Sequence, residues 1–389
     1  MWYFRSPEIV FGEDALDHLA TLSGQRAFIV TDPLMADLGF VTLVSQQLQQ
    51  AELSFTIFDQ IEPEPTLPTI LNGASQLMDF QPDWIIGLGG GSVMDAAKAM
   101  WILYENPSFD LTNVHPFAEL TLRKKAKLIT IPTTSGTGSE CTWAFVLTDP
   151  TENRKLGLGT PEILPDIAIV DPILPQQMPQ QLTADTGFDA LTQAIEGYTA
   201  ALHNDFTDGL CLKAIQLLFD YLPLAVQDGH NRTAREKVHN AATLAGLGFG
   251  NSMAALAHAM GHSFGALFKV PHGRAVGLFL PYTIQYTTCG PAPTRYHDIS
   301  RWLGLPTQTP TQGSESLVAA IRQLADAVKQ PLTIPTALPL SRSDFEAALP
   351  QLVAHTEADS VIAMSSRIPT AIDIARLFHC AYQGADVGF

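Results

Sequence analysis

Cysteine is scarce in this chain of 389 residues: Cys141, Cys211, Cys289 and Cys380 stand far apart. Such scatter excludes a disulfide framework and the paired spacing of a zinc knuckle, and a reducing, cytoplasmic setting is expected. Basic side chains are few as well. The 22 Lys and Arg against 39 Asp and Glu leave a formal charge of −17, which argues against nucleic acid or an anionic membrane surface as a partner. No stretch offers the roughly 18 uninterrupted apolar residues of a membrane span. Met1-Trp2-Tyr3-Phe4-Arg5 lacks the basic start and apolar stretch of a secretory leader, so export is not expected. Internal repeats and low-complexity tracts are also missing.

Apolar residues make up 46% of the chain, enough for well-packed cores, and the length suggests two domains of roughly 150 to 200 residues. Up to about Pro172, short β-type runs (27–30, 54–58, 84–88, 128–131 and 167–170) alternate with stretches of helical spacing such as 67–80 and 93–103. This rhythm predicts a parallel α/β sheet with helical crossovers. After Asp171-Pro172-Ile173-Leu174-Pro175 the β-type runs cease. Helical periodicity then predicts helices over 187–199, 208–221, 234–250, 252–268, 314–327 and 371–382. The expected division is an α/β domain over 1–180 and an all-helical domain over 181–389.

In the first half, the apolar run Ile85-Ile86-Gly87-Leu88 leads into Gly89-Gly90-Gly91-Ser92-Val93-Met94-Asp95. A glycine turn between strand and helix lets a pyrophosphate approach backbone N–H groups and the positive end of the helix dipole. A tight left-handed turn would use the same glycines. A second loop, Pro132-Thr133-Thr134-Ser135-Gly136-Thr137-Gly138-Ser139-Glu140, is dense in hydroxyls that suit ribose or phosphate oxygens, or that would simply cap a turn. Asp32 follows the run Phe28-Ile29-Val30-Thr31, where an acid can accept from an adenosine ribose and repel a 2′-phosphate, or can cap a helix. Lys155 is either a positive partner for a cofactor or solvated surface.

In the second half, Asp189 and Gln193 are four apart on one expected helix face, and His258 and His262 on another. His272 lies in Val270-Pro271-His272-Gly273-Arg274, read as a loop. One carboxylate with two or three imidazoles suits Zn²⁺ or Fe²⁺, although a helical His pair also occurs as ordinary structure.

Taken together, Gly-Gly-Gly-Ser-Val-Met-Asp at 89–95, Pro-Thr-Thr-Ser-Gly-Thr-Gly-Ser-Glu at 132–140, Gly-Phe-Asp-Ala-Leu-Thr at 187–192, His-Ala-Met-Gly-His at 258–262 and Pro-His-Gly at 271–273 resemble the iron-containing, or group III, alcohol dehydrogenase family over nearly the whole chain. The resemblance implies a Rossmann-like dinucleotide-binding domain followed by a helical domain in a dehydroquinate synthase-like fold, with nicotinamide and metal meeting between them. It makes Asp32 the ribose contact that favours NAD, and Gly89, Gly90, Gly91 and Ser92 the pyrophosphate loop. Asp95, Thr133, Thr134, Thr137 and Lys155 are further cofactor-binding residues. Asp189, His258 and His272 become metal ligands, and His262 a catalytic residue that passes a proton.

One departure stands out, because iron-dependent members carry a histidine where this chain has Gln193, a weaker oxygen donor at the fourth metal position. The expected function is NAD-dependent hydride transfer between a nicotinamide and a small alcohol or aldehyde, assisted by a weakly held Fe²⁺ or Zn²⁺. The alternatives are a metal-independent reductase of the maleylacetate reductase type, a lyase of the dehydroquinate synthase type, or a non-enzymic NAD-binding or filament subunit. A homodimer or larger homo-oligomer is expected, with Trp2-Tyr3-Phe4 as an apolar edge strand seeking cover.

Overall fold

The computed structural model describes residues 3–149 and 154–389, without the side chains of residues 148–156. The chain forms two compact units, Met1–Gln177 and Met178–Phe389.

The first unit contains strands β1 (Glu8–Phe11), β2 (Arg26–Val30), β3 (Ser54–Phe58), β4 (Trp84–Gly89), β5 (Lys127–Pro132), β6 (Ala144–Asp149), β7 (Arg154–Gly159) and β8 (Ile167–Val170). Its helices are α1 (Pro33–Asp37), α2 (Phe40–Gln50), α3 (Leu67–Phe80) and α4 (Gly91–Glu105). Six strands make a parallel sheet in the order β1-β8-β5-β4-β2-β3. β4 and β8 are buried along their whole length, as expected where helices cover both faces of a parallel sheet. Side chains alternate across it. Phe28, Val30, Ile85 and Leu128 join the core under α3 and α4, whereas Ala27, Ile29, Ile86 and Ile129 join the core under α2.

The chain leaves β2 toward β3 on one side and returns to β4 on the other before continuing outward to β5. The carboxyl ends of β2 and β4 therefore flank a topological switch point, the place where open α/β sheets bind ligands. Asp32 follows β2 and the glycine turn follows β4.

The second unit is helical: α5 (Gln180–Thr199), α6 (Asp205–Gln227), α7 (Arg232–Gly250), α8 (Leu256–Phe268), α9 (His272–Thr288), α10 (Tyr296–Trp302), α11 (Pro310–Val328), α12 (Ile334–Ala337), α13 (Arg342–Ala358) and α14 (Ala371–Gln383). One core gathers α5, α6, α7 and α11 around Phe188, Leu191, Leu218 and Ile321, and another gathers α8, α9, α13 and α14 around Phe264, Phe279 and Phe378. α6 has a mean hydropathy of 1.5 over its most apolar 18 residues, long and apolar enough by composition to cross a membrane. Here Cys211, Ala214, Ile215, Leu218 and Leu222 bury one face of it in the core that it shares with α5 and α7.

Several expectations need correction. Residues 3–7 form no strand; the sheet edge is β1, and Trp2 lies outside the described residues. His272 is not in a loop but opens α9, with Pro271 as its N-cap at φ −50°, since a proline just outside the first turn starts a helix rather than breaking one. α5 begins seven residues before Gly187, at Gln180, because its first turn is too polar to show an apolar stripe. The antiparallel hairpin of β6 and β7 also went unread.

α8 and α9 approach closely at Gly261, where an added Cβ would lie 2.5 Å from Val276 Cγ1 and 2.8 Å from its Cα. At Gly209 in α6 the same atom meets nothing within 4 Å. We expect Gly261→Ala to destabilise the protein by about 1–3 kcal/mol through overpacking. Gly209→Ala should be neutral or stabilise by up to ~1 kcal/mol through helix propensity. Denaturant midpoints measure both, and equal effects of the two substitutions would refute this packing account.

Candidate functional site

Two groups of polar residues stand out, one in each unit. In the first, β4 ends at Gly89, Gly90 is the N-cap of α4, and no side chain caps that helix. Its first-turn amides therefore face outward without a side-chain acceptor, as an anion-binding helix start requires. The hydroxyl loop packs directly on this turn. Thr133 N donates to Gly89 O at 3.0 Å, and a Cβ on Gly91 would sit 2.9 Å from Thr137 Cγ2. Thr134 and Thr137 are partly exposed, whereas Thr133 Oγ1 is buried with no hydrogen-bond partner among the described residues. An orphaned hydroxyl beside an uncapped glycine turn suits a ligand rich in oxygen atoms.

Asp32 is half-buried at the N-cap of α1, its Oδ1 accepting from Met35 N at 3.1 Å. Burial raises its pKa, against the amides of Met35 and Leu34. Thr31 Oγ1 donates to Leu88 O at 2.8 Å, joining the ends of β2 and β4 beneath both Asp32 and the glycine turn. Ser92 accepts from Glu64 N at 3.5 Å. Lys155 has its backbone in β7 opposite Thr148, and its side chain lies outside the described ones.

Asp95 is turned inward. Its two carboxylate oxygens accept from Ser139 Oγ at 2.6 Å and Val146 N at 2.9 Å. One turn on, the fully buried Lys98 donates to Ser139 O at 2.7 Å, Ser139 Oγ at 2.9 Å, Thr142 O at 3.0 Å and Ala144 O at 2.7 Å. Burial pulls its pKa down to about 8, against the attraction of Asp95. The sequence reading missed Lys98, although its spacing of three from Asp95 on a helix was visible. Together the pair ties the helix behind the glycine turn to the hydroxyl loop.

The second group converges on Asp189, almost fully buried in α5. Its Oδ1 lies 3.4 Å from His272 Nε2 and 3.6 Å from His258 Nε2, and the three ligand atoms fall within 4.8 Å of one another. Among the described residues, neither Asp189 Oδ1 nor His258 Nε2 has a partner in hydrogen-bonding geometry. Bonds of about 2.0–2.2 Å to a shared tetrahedral ion separate ligand atoms by about 3.3–3.6 Å, so the donor set fits a divalent cation. Burial alone would raise the Asp189 pKa, but His272 and His258 hold the carboxyl well below the usual range. Burial likewise opposes charge on His258, yet Glu196 and Asp189 bring it up to about 10, so an entering cation must displace a proton there. His272 is partly exposed at its side chain; burial lowers its pKa against Asp189, with His262 and His258 adding repulsion.

Close packing enforces this convergence. A Cβ on Gly273 would sit 2.2 Å from Asp185 O and 3.1 Å from Asp189 Cβ, so only glycine lets the start of α9 rest on α5. Arg274 then clamps the contact, donating from Nε and Nη2 to the Asp185 carboxylate at 3.1 and 2.9 Å. Gln193 is buried one turn beyond Asp189. His262 stacks on His272 with ring centroids 5.2 Å apart, and its Nδ1 lies 2.7 Å from Asp359 Oδ2. Phe249 stacks on His258 at 6.3 Å, whereas Phe268 packs on Phe264 at 5.2 Å.

Residues 6–172 match the family model described as iron-containing alcohol dehydrogenase, and residues 183–382 match the C-terminal model of the Fe-containing alcohol dehydrogenase family. The NADPH-dependent butanol dehydrogenase of Clostridium saccharobutylicum is 36% identical over 395 residues, covering 100% of both chains. The aldehyde-alcohol dehydrogenase of Streptococcus pneumoniae serotype 4 is 40% identical over 352 residues; the match covers 84% of this chain but only 40% of that longer protein. The solved structure of an iron-containing alcohol dehydrogenase from Thermococcus thioreducens superposes with a TM-score of 0.90 at 30% identity, over 99% of this chain and 100% of the other. With family models spanning both units and a full-length relative at this identity, the chain belongs to the iron-containing alcohol dehydrogenase family.

Proposed function

We propose that the protein is an NAD(H)-dependent oxidoreductase that interconverts a small alcohol and its aldehyde with the help of a divalent metal ion. The observation that carries this reading is the buried Asp189 carboxylate facing the Nε2 atoms of His258 and His272. Those three side chains would hold Fe²⁺ or Zn²⁺, with Gln193 a weak fourth donor. Bound there, the ion supplies Lewis acidity to the substrate oxygen, and the nicotinamide supplies or accepts hydride.

The chain's own residues do the rest. The uncapped start of α4 at Gly89, Gly90, Gly91 and Ser92 binds pyrophosphate, Thr133, Thr134 and Thr137 add hydroxyl contacts, and Asp32 accepts from the ribose. Lys155 adds positive charge. Asp95 acts from behind, through Ser139. His262 moves the proton: Asp359 engages Nδ1, which leaves Nε2 for exchange with the substrate hydroxyl. Phe249, stacked on His258, helps exclude water. Four free thiols suit a reducing, cytoplasmic setting.

Metal dependence is tested by removal. A chelator should abolish alcohol oxidation, and Zn²⁺ or Fe²⁺ should restore it. Asp189→Ala and His272→Ala should each cost more than about 100-fold in kcat/KM, in line with the several kcal/mol a Lewis acid provides. Gln193→His should tighten Zn²⁺ binding by about tenfold or more through a stronger nitrogen donor. Native rates in both alanine variants without metal would favour a metal-independent reductase.

Cofactor choice needs its own test, since the butanol dehydrogenase relative is named for NADPH. We expect kcat/KM to favour NADH, and Asp32→Gly to narrow that preference by about tenfold, the equivalent of ~1.4 kcal/mol. A native preference for NADPH would remove Asp32 from this role.

A homodimer or larger assembly is also proposed. Phe11 on the edge strand β1 and Tyr3 just before it are 67% and 69% exposed, apolar surface at an open sheet edge that another copy could cover. Light scattering at micromolar concentration should return at least twice the chain mass of 42.1 kDa, and a monomer would reject the assembly.

A further inference from the structure

We propose that Glu196 is the positioning residue of the metal centre, fixing which nitrogen of His258 faces Asp189; this rests on the metal reading above. Glu196 lies seven residues after Asp189 on α5, two turns along the same face. Its Oε2 accepts from Ala255 N at 2.9 Å and lies 2.6 Å from His258 Nδ1, while Oε1 accepts from Ala257 N at 2.5 Å. One carboxylate thus holds the N-cap residue, the first turn and the imidazole of α8.

A carboxylate only accepts, so Nδ1 keeps its proton toward Glu196, and the proton that an entering cation displaces is the one on Nε2, whose lone pair is then the one offered to the metal. Nε2 is the atom 3.6 Å from Asp189 Oδ1. The same helix therefore supplies both a ligand and the group that orients the next ligand. Such outer carboxylates fix ring orientation and raise imidazole basicity toward a metal. On another side, Glu196 borders a cavity of about 20 Å³ that it shares with Thr199, Thr283, Tyr296 and Ser365. Glutamine at this position keeps the size and polarity of that lining, so Glu196→Gln isolates the charge and acceptor from packing.

Metal-free protein is titrated with Zn²⁺ against a chromophoric chelator, and with Co²⁺ to read the ligand-field bands. Glu196→Gln should weaken Zn²⁺ binding by about 10- to 100-fold and shift the Co²⁺ bands, while NADH binding to the metal-free protein stays within twofold of the wild type. A Zn²⁺ Kd in Glu196→Gln within twofold of the wild type, with unchanged Co²⁺ bands, overturns the inference and leaves the metal reading intact. Wild-type protein that binds neither ion overturns both. Should Glu196→Gln not fold, ¹⁵N NMR of zinc-loaded wild-type protein decides: His258 with Nδ1 protonated and Nε2 coordinated supports the role, and coordination through Nδ1 contradicts it.

Discussion

A carboxylate in the middle of a helical core loses most of its hydration, at a cost of several kcal/mol unless positive or hydrogen-bonding partners face it. Asp189 is 1% exposed, and its Oδ1 faces two imidazole nitrogens at 3.4 and 3.6 Å. The rest of the second unit is arranged to satisfy that group. α8 must bring His258, and α9 must start where His272 reaches. Both helices approach through glycines whose Cβ atoms would collide with backbone: Gly261 with Val276 and Gly273 with Asp185. The Arg274–Asp185 pair and the Glu196 contacts hold the two helix starts in place.

The first unit follows a parallel logic with different chemistry. A glycine turn has no side chains of its own to define its shape, so neighbours must do so. Thr31 ties β2 to β4, Thr133 N bonds back to Gly89 O, and the partly buried Asp95 and fully buried Lys98 converge on Ser139. Lys98 spends its ammonium donors on one hydroxyl and three carbonyls, a well-satisfied arrangement for a charge removed from water. The glycine turn is thus held from behind by the charges of Asp95 and Lys98.

Much of this was legible from residue spacing. Continuous apolar runs marked the central strands, and four-residue spacing put Asp189 with Gln193 and His258 with His262. What escaped depended on tertiary contact. Glu196 was in view as the next residue of the Asp189 face, but nothing local says that it meets α8. Asp359 is 97 residues from His262 and sits at the start of a short 3₁₀ turn, with no periodic pattern to single it out. α9 was read as a loop because Pro271 and Gly273 act as breakers in most settings; here one precedes the helix and the other permits its contact with α5. β1 has only four residues and gains its place by pairing with β8, more than 150 positions away.

The central claim is that Asp189, His258 and His272 hold one divalent cation, and X-ray absorption spectroscopy at the metal edge tests it most directly. For zinc-loaded wild-type protein the account requires one ion per chain, with two imidazole nitrogens at about 2.0–2.1 Å and a carboxylate oxygen at about 2.0–2.2 Å. His258→Ala should then remove one imidazole from that shell. A spectrum without histidine scattering, or one unchanged by His258→Ala, would contradict it.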